Sequence, residues 1–415
     1  MSVVRNQTLT ALDVGTGKVC CFVARVETNS SAKVIGIGHQ ISQGLRAGNV
    51  VDMRATEDAI RSAIDAAERM AGEKVRDIYL GFSGGRPQSK TISAEVTVSG
   101  HAINDTDLRR VMHHSQLENE DHFEVVHQLP VGFTIDGTVG VRDPRGMFAS
   151  SLGVNTHIVS AVAGPVQNLR LCAEQGHVSV ADVAVAPYTA GLATLVEDEL
   201  RLGATVVDMG AGTTSIGVFC DDEMVYTKSL PLGGSHITND IARGLGTPTV
   251  HAERLKTLYG NVLPSPADDR DILEVSIMGE TEETSRNQVS RSMLVGIIRP
   301  RVEEILEMVR DRLEASGMSS AAGRRVVLTG GASQLQGIRE LAARVLDKQV
   351  RIGRPINING LAESTGGPAF ASCAGLLRFA MREPVAATGG LNGITWANNG
   401  SSKFAKISRW IAQNF

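Results

Sequence analysis

TLTALDVGTGK at residues 8–18 and GATVVDMGAGTT at residues 203–214 share one pattern: a hydrophobic run, an acidic residue at its end, then a glycine turn. A second hydrophobic run follows each, VCCFVARV from Val19 and SIGVFC from Ser215, so both copies read as strand, tight turn, strand. A third strand comes next, AKVIGIG at 32–38 and MVYTKSL at 224–230. Each copy then predicts a helix, one over 56–71 and one starting near Ser235. In the first, Ala59, Ile60, Ala63, Ile64, Ala67 and Met70 share a face. Asp13 and Asp208 stand 195 residues apart, a separation that indicates internal duplication rather than a short solenoid repeat. Two such α/β halves facing each other leave a cleft between them.

The turns carry the chemistry. Gly15, Gly17, Gly210 and Gly212 let backbone N–H groups come close to phosphate oxygens. Thr16, Thr213 and Thr214 add hydroxyl donors, and Lys18 adds a cation. Asp13 and Asp208 suit Mg²⁺, held through water, better than direct contact with phosphate. A single DxGxG is an ordinary hairpin. Two of them, one per half, point to a nucleotide site. Rival phosphate motifs fail: Gly17-Lys18 lacks the upstream glycine spacing and following hydroxyl of a Walker A loop. Gly36 and Gly38 are followed by Ile41 where a dinucleotide fingerprint needs a small residue.

The chain of 415 residues is long enough for two or three packed domains. Its hydrophobic fraction of 42%, charged fraction of 21% and net charge of −4 fit a globular protein and exclude a broad nucleic-acid-binding surface. Cys20, Cys21, Cys172, Cys220 and Cys373 form no CxxC pair and read as reduced, buried thiols. The N-terminus lacks a secretory signal pattern, and the longest apolar stretch, Val183 to Val196, is too short to span a bilayer and contains Pro187. His113-His114 read as exposed helix residues, because adjacent histidines face different directions and make a poor metal site. Glu118–Asp121 and Pro264–Arg270 read as solvated loops. The expected organisation is a first-domain core at 1–83 and 164–203, an inserted small α/β subdomain at 84–163 and a second domain at 204–346. A return to the first core at 347–381, a Gly/Ala/Asn/Ser-rich linker at 382–402 and a terminal helix at 403–415 complete it.

Together these motifs resemble the actin/Hsp70/sugar-kinase ATPase superfamily, whose fold is a duplicated, ribonuclease H-like pair of α/β domains around a nucleotide cleft. VVLTGGASQLQGI at 326–338 is similar to that family's adenosine motif, which implies that Gly330, Gly331 and Ala332 lie against the adenosine. HAERLK at 251–256 is similar to the helix whose acidic and basic residues reach ribose and base, here Glu253 and Lys256. Within the superfamily, LPLGGSHITNDIARGLGTP (230–248), DPRGMFASSLGVNTHIV (143–159) and STGGPAFASCAGLLRFA (364–380) resemble the FtsA group of bacterial division proteins. That resemblance implies ATP and Mg²⁺ as cofactors and assembly into actin-like filaments. It also implies attachment of the tubulin-like protein FtsZ to the cytoplasmic face of the inner membrane at the septum, and recruitment of later division proteins. The segment IIRPR at 297–301 is similar to the helix that takes the FtsZ C-terminal tail, making Arg301 a candidate contact.

The last thirteen residues, KFAKISRWIAQNF, place Phe404, Ile407, Ile411 and Phe415 on one helical stripe flanked by Trp410. Lys406 and Arg409 point away from the stripe and Lys403 lies at its edge, with no acidic residue in the segment. Such a helix suits the headgroup layer of an anionic leaflet. Three cations contribute about 1 kcal/mol each, so one copy binds reversibly and filament assembly multiplies the contact. No glutamine or glutamate near Pro187 presents itself to orient an attacking water, which predicts weak or absent ATP turnover. A sugar-kinase-like phosphotransferase would need a substrate pocket and catalytic aspartate in the first domain and no membrane tail; a chaperone or plasmid-segregating actin would lack the terminal helix or carry a peptide-binding domain.

Overall fold

The computed structural model describes residues 7–382 except 29–30, 117–121, 280–285 and 319–320. Two five-stranded sheets dominate it, and they have the same order. The first runs Ser179–Val185, Asp77–Phe82, Thr8–Val14, Lys18–Thr28, Ser31–Ile41, and the second Gln349–Ile352, Arg325–Thr329, Ala204–Met209, Thr214–Cys220, Glu223–Leu230. In each, the motif strand pairs antiparallel with its successor and parallel with its other neighbour. Leu9, Ala11, Leu12 and Val14 are all buried, as are Ala204, Val206, Val207 and Met209. Strands buried on both faces read as continuous apolar runs, which is why alternation is absent from both motifs.

Helix Met53–Ala71 covers the first sheet. Asp52 caps it by accepting from Ala55 N at 3.1 Å, and Gly72 closes it in the left-handed region at φ 70°. Gly36 and Gly38 explain the closeness of this contact. A Cβ on Gly38 would lie 1.9 Å from the Ala63 carbonyl oxygen, and one on Gly36 would lie 2.3 Å from that of Ala67. Both glycines serve helix-on-strand packing. Met70, expected on the inner face, is 60% exposed, because the stripe facing Gly36 continues from Ala67 to Ala71 and leaves Met70 one position out of register.

The segment between Gly85 and Val162 forms a four-stranded antiparallel sheet ordered Gln88–Thr97, Ser151–Val162, Phe123–Ile135, Thr138–Val141. Helix Asp105–His114, opened by an Asn104–Asp107 capping box, closes a separate core with Leu108, Val111, Phe133 and Leu152. The other face of that sheet meets both domains: Val159 and Ala161 join the first-domain core, and Ser89 Oγ donates to Thr227 O at 3.2 Å. His113 and His114 are exposed, but His127 and His157 are buried on this inner face.

Helices Gly234–Leu245, Thr249–Tyr259 and Arg291–Ala315 cover the second sheet. Strand Gln349–Ile352 pairs in parallel with Arg325–Thr329, so the chain leaves the second domain after Ile352 rather than at 347; ladder pairing overrides the local polarity of that segment. Helix Ala371–Met381 then packs on the first sheet through Cys373, Ala374, Leu376 and Leu377. The apolar stretch from Val183 becomes a strand end and helix Ala186–Thr194, all nine of whose residues are buried. No helix among the described residues is long and apolar enough to cross a membrane. All five cysteines are buried, and none forms a disulfide among the described residues. Pro264–Arg270 is largely exposed, but Asp268 is buried and accepts from Ser265 N at 2.7 Å. Glu118–Asp121 lies outside the described residues.

Candidate nucleotide cleft

The two hairpins have the same internal bond. Gly15 N donates to Lys18 O at 3.0 Å, and Gly210 N donates to Thr213 O at 2.9 Å. Strand pairing carries Asp13 opposite Cys20 and Asp208 opposite Ser215, so each acid sits just before its turn. The turns meet tip to tip. A Cβ on Gly17 would come within 2.7 Å of Ala211 Cβ, and one on Gly212 within 2.4 Å of Thr16 Oγ1. Around them lies a cleft of about 250 Å³ lined by Asp13, Gly15, Thr16, Gly17 and Lys18 on one side and Asp208, Gly210, Gly212, Thr213, Gly330 and Gly331 on the other.

Burial without a full complement of positive charge governs the electrostatics. Burial pushes Asp13 up to about 6; Lys18 pulls it down and Asp208 pushes it further up. Asp208 is raised by burial as well, against the hydrogen bond from Ser372 and the charge of Lys18. Lys18 donates to Ala369 O at 2.5 Å and lies 3.4 Å from the Phe370 ring centre. Two buried carboxylates facing one ammonium leave an excess of negative charge that suits a divalent cation. Among the described residues no cluster of three or more His, Cys, Asp or Glu side chains is poised for a metal, so waters and phosphate oxygens would supply the remaining donors.

Gly330 adopts φ +83°, and a Cβ there would lie 2.3 Å from Asp208 Oδ1. Glycine is required at this approach. Other expected residues sit off the cavity. Thr214 Oγ1 turns away and donates to Leu232 O at 2.8 Å, because the strand has already begun at this residue. Lys256 Nζ donates to Glu253 Oε2 at 2.7 Å, Thr238 Oγ1 at 2.8 Å and Gly234 O at 3.1 Å. A Cβ on Gly234 would meet Ala332 Cβ at 3.3 Å and Lys256 Nζ at 3.5 Å. Glu253, Lys256 and Ala332 therefore gather with one another at the start of helix Gly234–Leu245, beyond the residues that line this cavity. Ser83, Ala186, Pro368, Ala369 and Ser372 line the cleft without having been singled out in the sequence. No glycine-turn signal marks them; they arrive from chain crossings distant in sequence.

Arg301 is engaged within its own domain. Its Nε lies 2.6 Å from Asp240 Oδ2 and its Nη2 3.2 Å from Asp240 Oδ1, with Glu304 as a second carboxylate partner. Ile305, one turn on, is fully buried. The terminal residues Lys403, Phe404, Lys406, Ile407, Arg409, Trp410, Ile411 and Phe415 lie outside the described residues.

Comparison with known proteins agrees with this architecture. A family model described as "Cell division protein FtsA" matches residues 205–375, and one described as "SHS2 domain inserted in FTSA" matches residues 84–160. Among curated proteins, Cell division protein FtsA of Rhizobium meliloti is 40% identical, covering 99% of this chain and 96% of its own. Among solved structures, the PilM-PilN type IV pilus biogenesis complex aligns with TM-score 0.65 at 18% identity, over 91% of this chain and 99% of that one. MreB5 of Spiroplasma citri bound to ADP aligns with TM-score 0.54 at 13% identity, over 90% and 96%. These likenesses identify the fold as actin-like. With 40% identity over nearly the whole of both chains and the matched insert, the chain belongs to the FtsA family of cell division proteins.

Proposed function

We propose that this protein binds ATP with Mg²⁺ between its two glycine hairpins, assembles into actin-like filaments and attaches the FtsZ ring to the cytoplasmic face of the inner membrane. The observation that carries the reading is the cleft itself. Hairpins 195 residues apart touch at their tips and place Asp13, Lys18 and Asp208 around one cavity. The glycine turns and the hydroxyl groups of Thr16 and Thr213 receive the phosphates, while Asp13 and Asp208 hold the metal through water. Gly330, Gly331 and Ala332, with the Glu253–Lys256 pair, receive the adenosine. The ADP-bound state of the Spiroplasma citri structure supports a nucleotide as the ligand of this fold. Mg²⁺ supplies charge neutralisation for the phosphates; the chain's residues orient and bind. Helix Ala186–Thr194, APYTAGLAT, brings no acid or amide to the cleft wall, which favours slow turnover.

The FtsZ tail docks on the second domain, with Arg301 exchanging Asp240 for an acidic group of the peptide. Residues 403–415 form the amphipathic membrane helix, with Phe404, Ile407, Trp410, Ile411 and Phe415 in the acyl boundary and Lys403, Lys406 and Arg409 at the headgroups. Later division proteins are further partners. Electron microscopy of the purified protein with ATP on an anionic lipid monolayer tests the reading. Filaments are expected on the monolayer with the full chain, and loss of lipid attachment on deletion of residues 403–415. Lipid binding unchanged by the deletion, or absence of ATP binding in solution, sinks it.

A further inference from the structure

One segment, residues 368–372, holds charged groups from both domains. Ala369 O accepts from Lys18 Nζ of the first hairpin at 2.5 Å. Pro368 O accepts from Gly330 N at 3.1 Å and from Thr329 Oγ1 at 3.2 Å, both in the second domain. Ser372 Oγ donates to Asp208 Oδ2 at 3.1 Å. Ser372 sits in the first turn of helix Ala371–Met381, which packs on the first sheet, whereas Asp208 ends a strand of the second. This hydrogen bond therefore crosses the cleft.

The two oxygens of Asp208 are held differently. Oδ1 lies against the bare Cα of Gly330, where a Cβ would stand 2.3 Å away. Oδ2 accepts the hydroxyl of Ser372, a residue only 7% exposed. A carboxylate that orients metal-bound water must present its lone pairs in a set direction, and a donor on one oxygen restricts rotation about Cβ–Cγ. We propose that Ser372 is a positioning residue of the nucleotide cleft, fixing the Asp208 carboxylate of the second domain toward the divalent cation from a helix of the first. The inference rests on the nucleotide reading above and extends it: the cation site is complete only when both domains are in register.

The test compares the wild type with S372A, S372C and S372T in the full chain. Affinity for ADP is measured by calorimetry with Mg²⁺ and with a chelator, Mn²⁺ binding by electron paramagnetic resonance, and folding by thermal melt. S372A is expected to cut the Mg²⁺-dependent gain in ADP affinity about tenfold, the size of one charge-assisted hydrogen bond, and to lower metal-free affinity by a smaller factor. S372T is expected to retain the gain. S372C, similar in volume but a weak donor, is expected to fall between, which keeps the test open should S372A fold poorly. An undiminished Mg²⁺ gain in S372A, or equal losses with and without Mg²⁺, overturns the positioning role. Wild-type protein that binds ADP with no Mg²⁺ gain overturns it too. Wild-type protein that binds no ADP in either condition overturns the nucleotide reading itself.

Discussion

Asp13 is a carboxylate held where it costs stability. Its ordinary value is 3.8 and burial pushes it up to about 6. Below the lower value the side chain is protonated in both folded and unfolded chains, and nothing is lost. As pH rises from 3.8 through 6 the folded state holds its proton longer, so stability falls, and above 6 the loss is complete at about 3 kcal/mol. Asp13→Asn should therefore raise the melting temperature of the nucleotide-free protein at pH 7.5, with a gain that shrinks toward pH 4, while abolishing Mg²⁺-dependent nucleotide binding. Melting curves at several pH values and calorimetry measure both. His127 and His157 act in the opposite direction. Burial pushes both down to about 3, His127 Nε2 accepts from Val185 N at 3.1 Å, and neither ring nitrogen of His157 has a partner. Their stability contribution is intact above 6.5 and declines as pH falls toward 3. A His157→Leu variant should lose less stability than wild type between pH 7 and pH 5, read by denaturant unfolding at each pH.

At the scale of elements, the tight seat of helix Met53–Ala71 on strand Ser31–Ile41 makes a sharper demand than hydrophobic periodicity alone. With a Cβ at Gly38 only 1.9 Å from backbone, Gly38→Ala must push the helix off the sheet, and a loss of about 3 kcal/mol or more is expected. Gly164→Ala, in helix Ala163–Glu174 with nothing within 4 Å of the added methyl, should gain up to about 1 kcal/mol. Urea denaturation of the pair checks both signs. The same elements show which features local reading can reach. The strand–turn–strand units and the helix expected over 56–71, observed as Met53–Ala71, follow from apolar runs and glycine turns, all local properties. The small hairpin Leu45–Arg46/Asn49–Val50 carries no such run, yet Gly48 N donates to Thr16 Oγ1 at 2.9 Å and steadies the first turn. Two-residue strands have too little pattern to announce themselves.

For the whole molecule, the crossing from first to second domain is pinned by Glu199, whose side chain is 1% exposed. Burial alone would raise this carboxyl, but hydrogen bonds from Arg351 and Val196 N, with the charges of Arg351 and Arg325, hold it below its ordinary value. Arg351 Nε donates to Glu199 Oε1 at 2.8 Å, Nη2 bonds the other carboxylate oxygen, and Nη2 also donates to Thr194 O at 2.7 Å. Arg351 lies on the edge strand of the second sheet, so one guanidinium ties both domains at their connection. Arg351→Ala leaves a buried carboxylate short of its main partner and should cost about 2–4 kcal/mol. Faster hydrogen exchange across residues 194–203 and a larger radius of gyration by small-angle scattering are the expected signs of a looser hinge; unchanged exchange there would contradict the pin.

Duplication, paired glycine turns and their acids could be read from the chain because a tight turn's chemistry is local: backbone conformation selects the residue type. Which groups complete the cleft was decided only by tertiary structure. Ser372 reaches Asp208 across 164 positions and Ala369 reaches Lys18 across 351, and no neighbour in sequence records that either donor or acceptor will be met there. Thr214 and Met70 turned aside for the same reason: a strand that starts one residue early, or a helix stripe that drifts by one position, sends a side chain to another face.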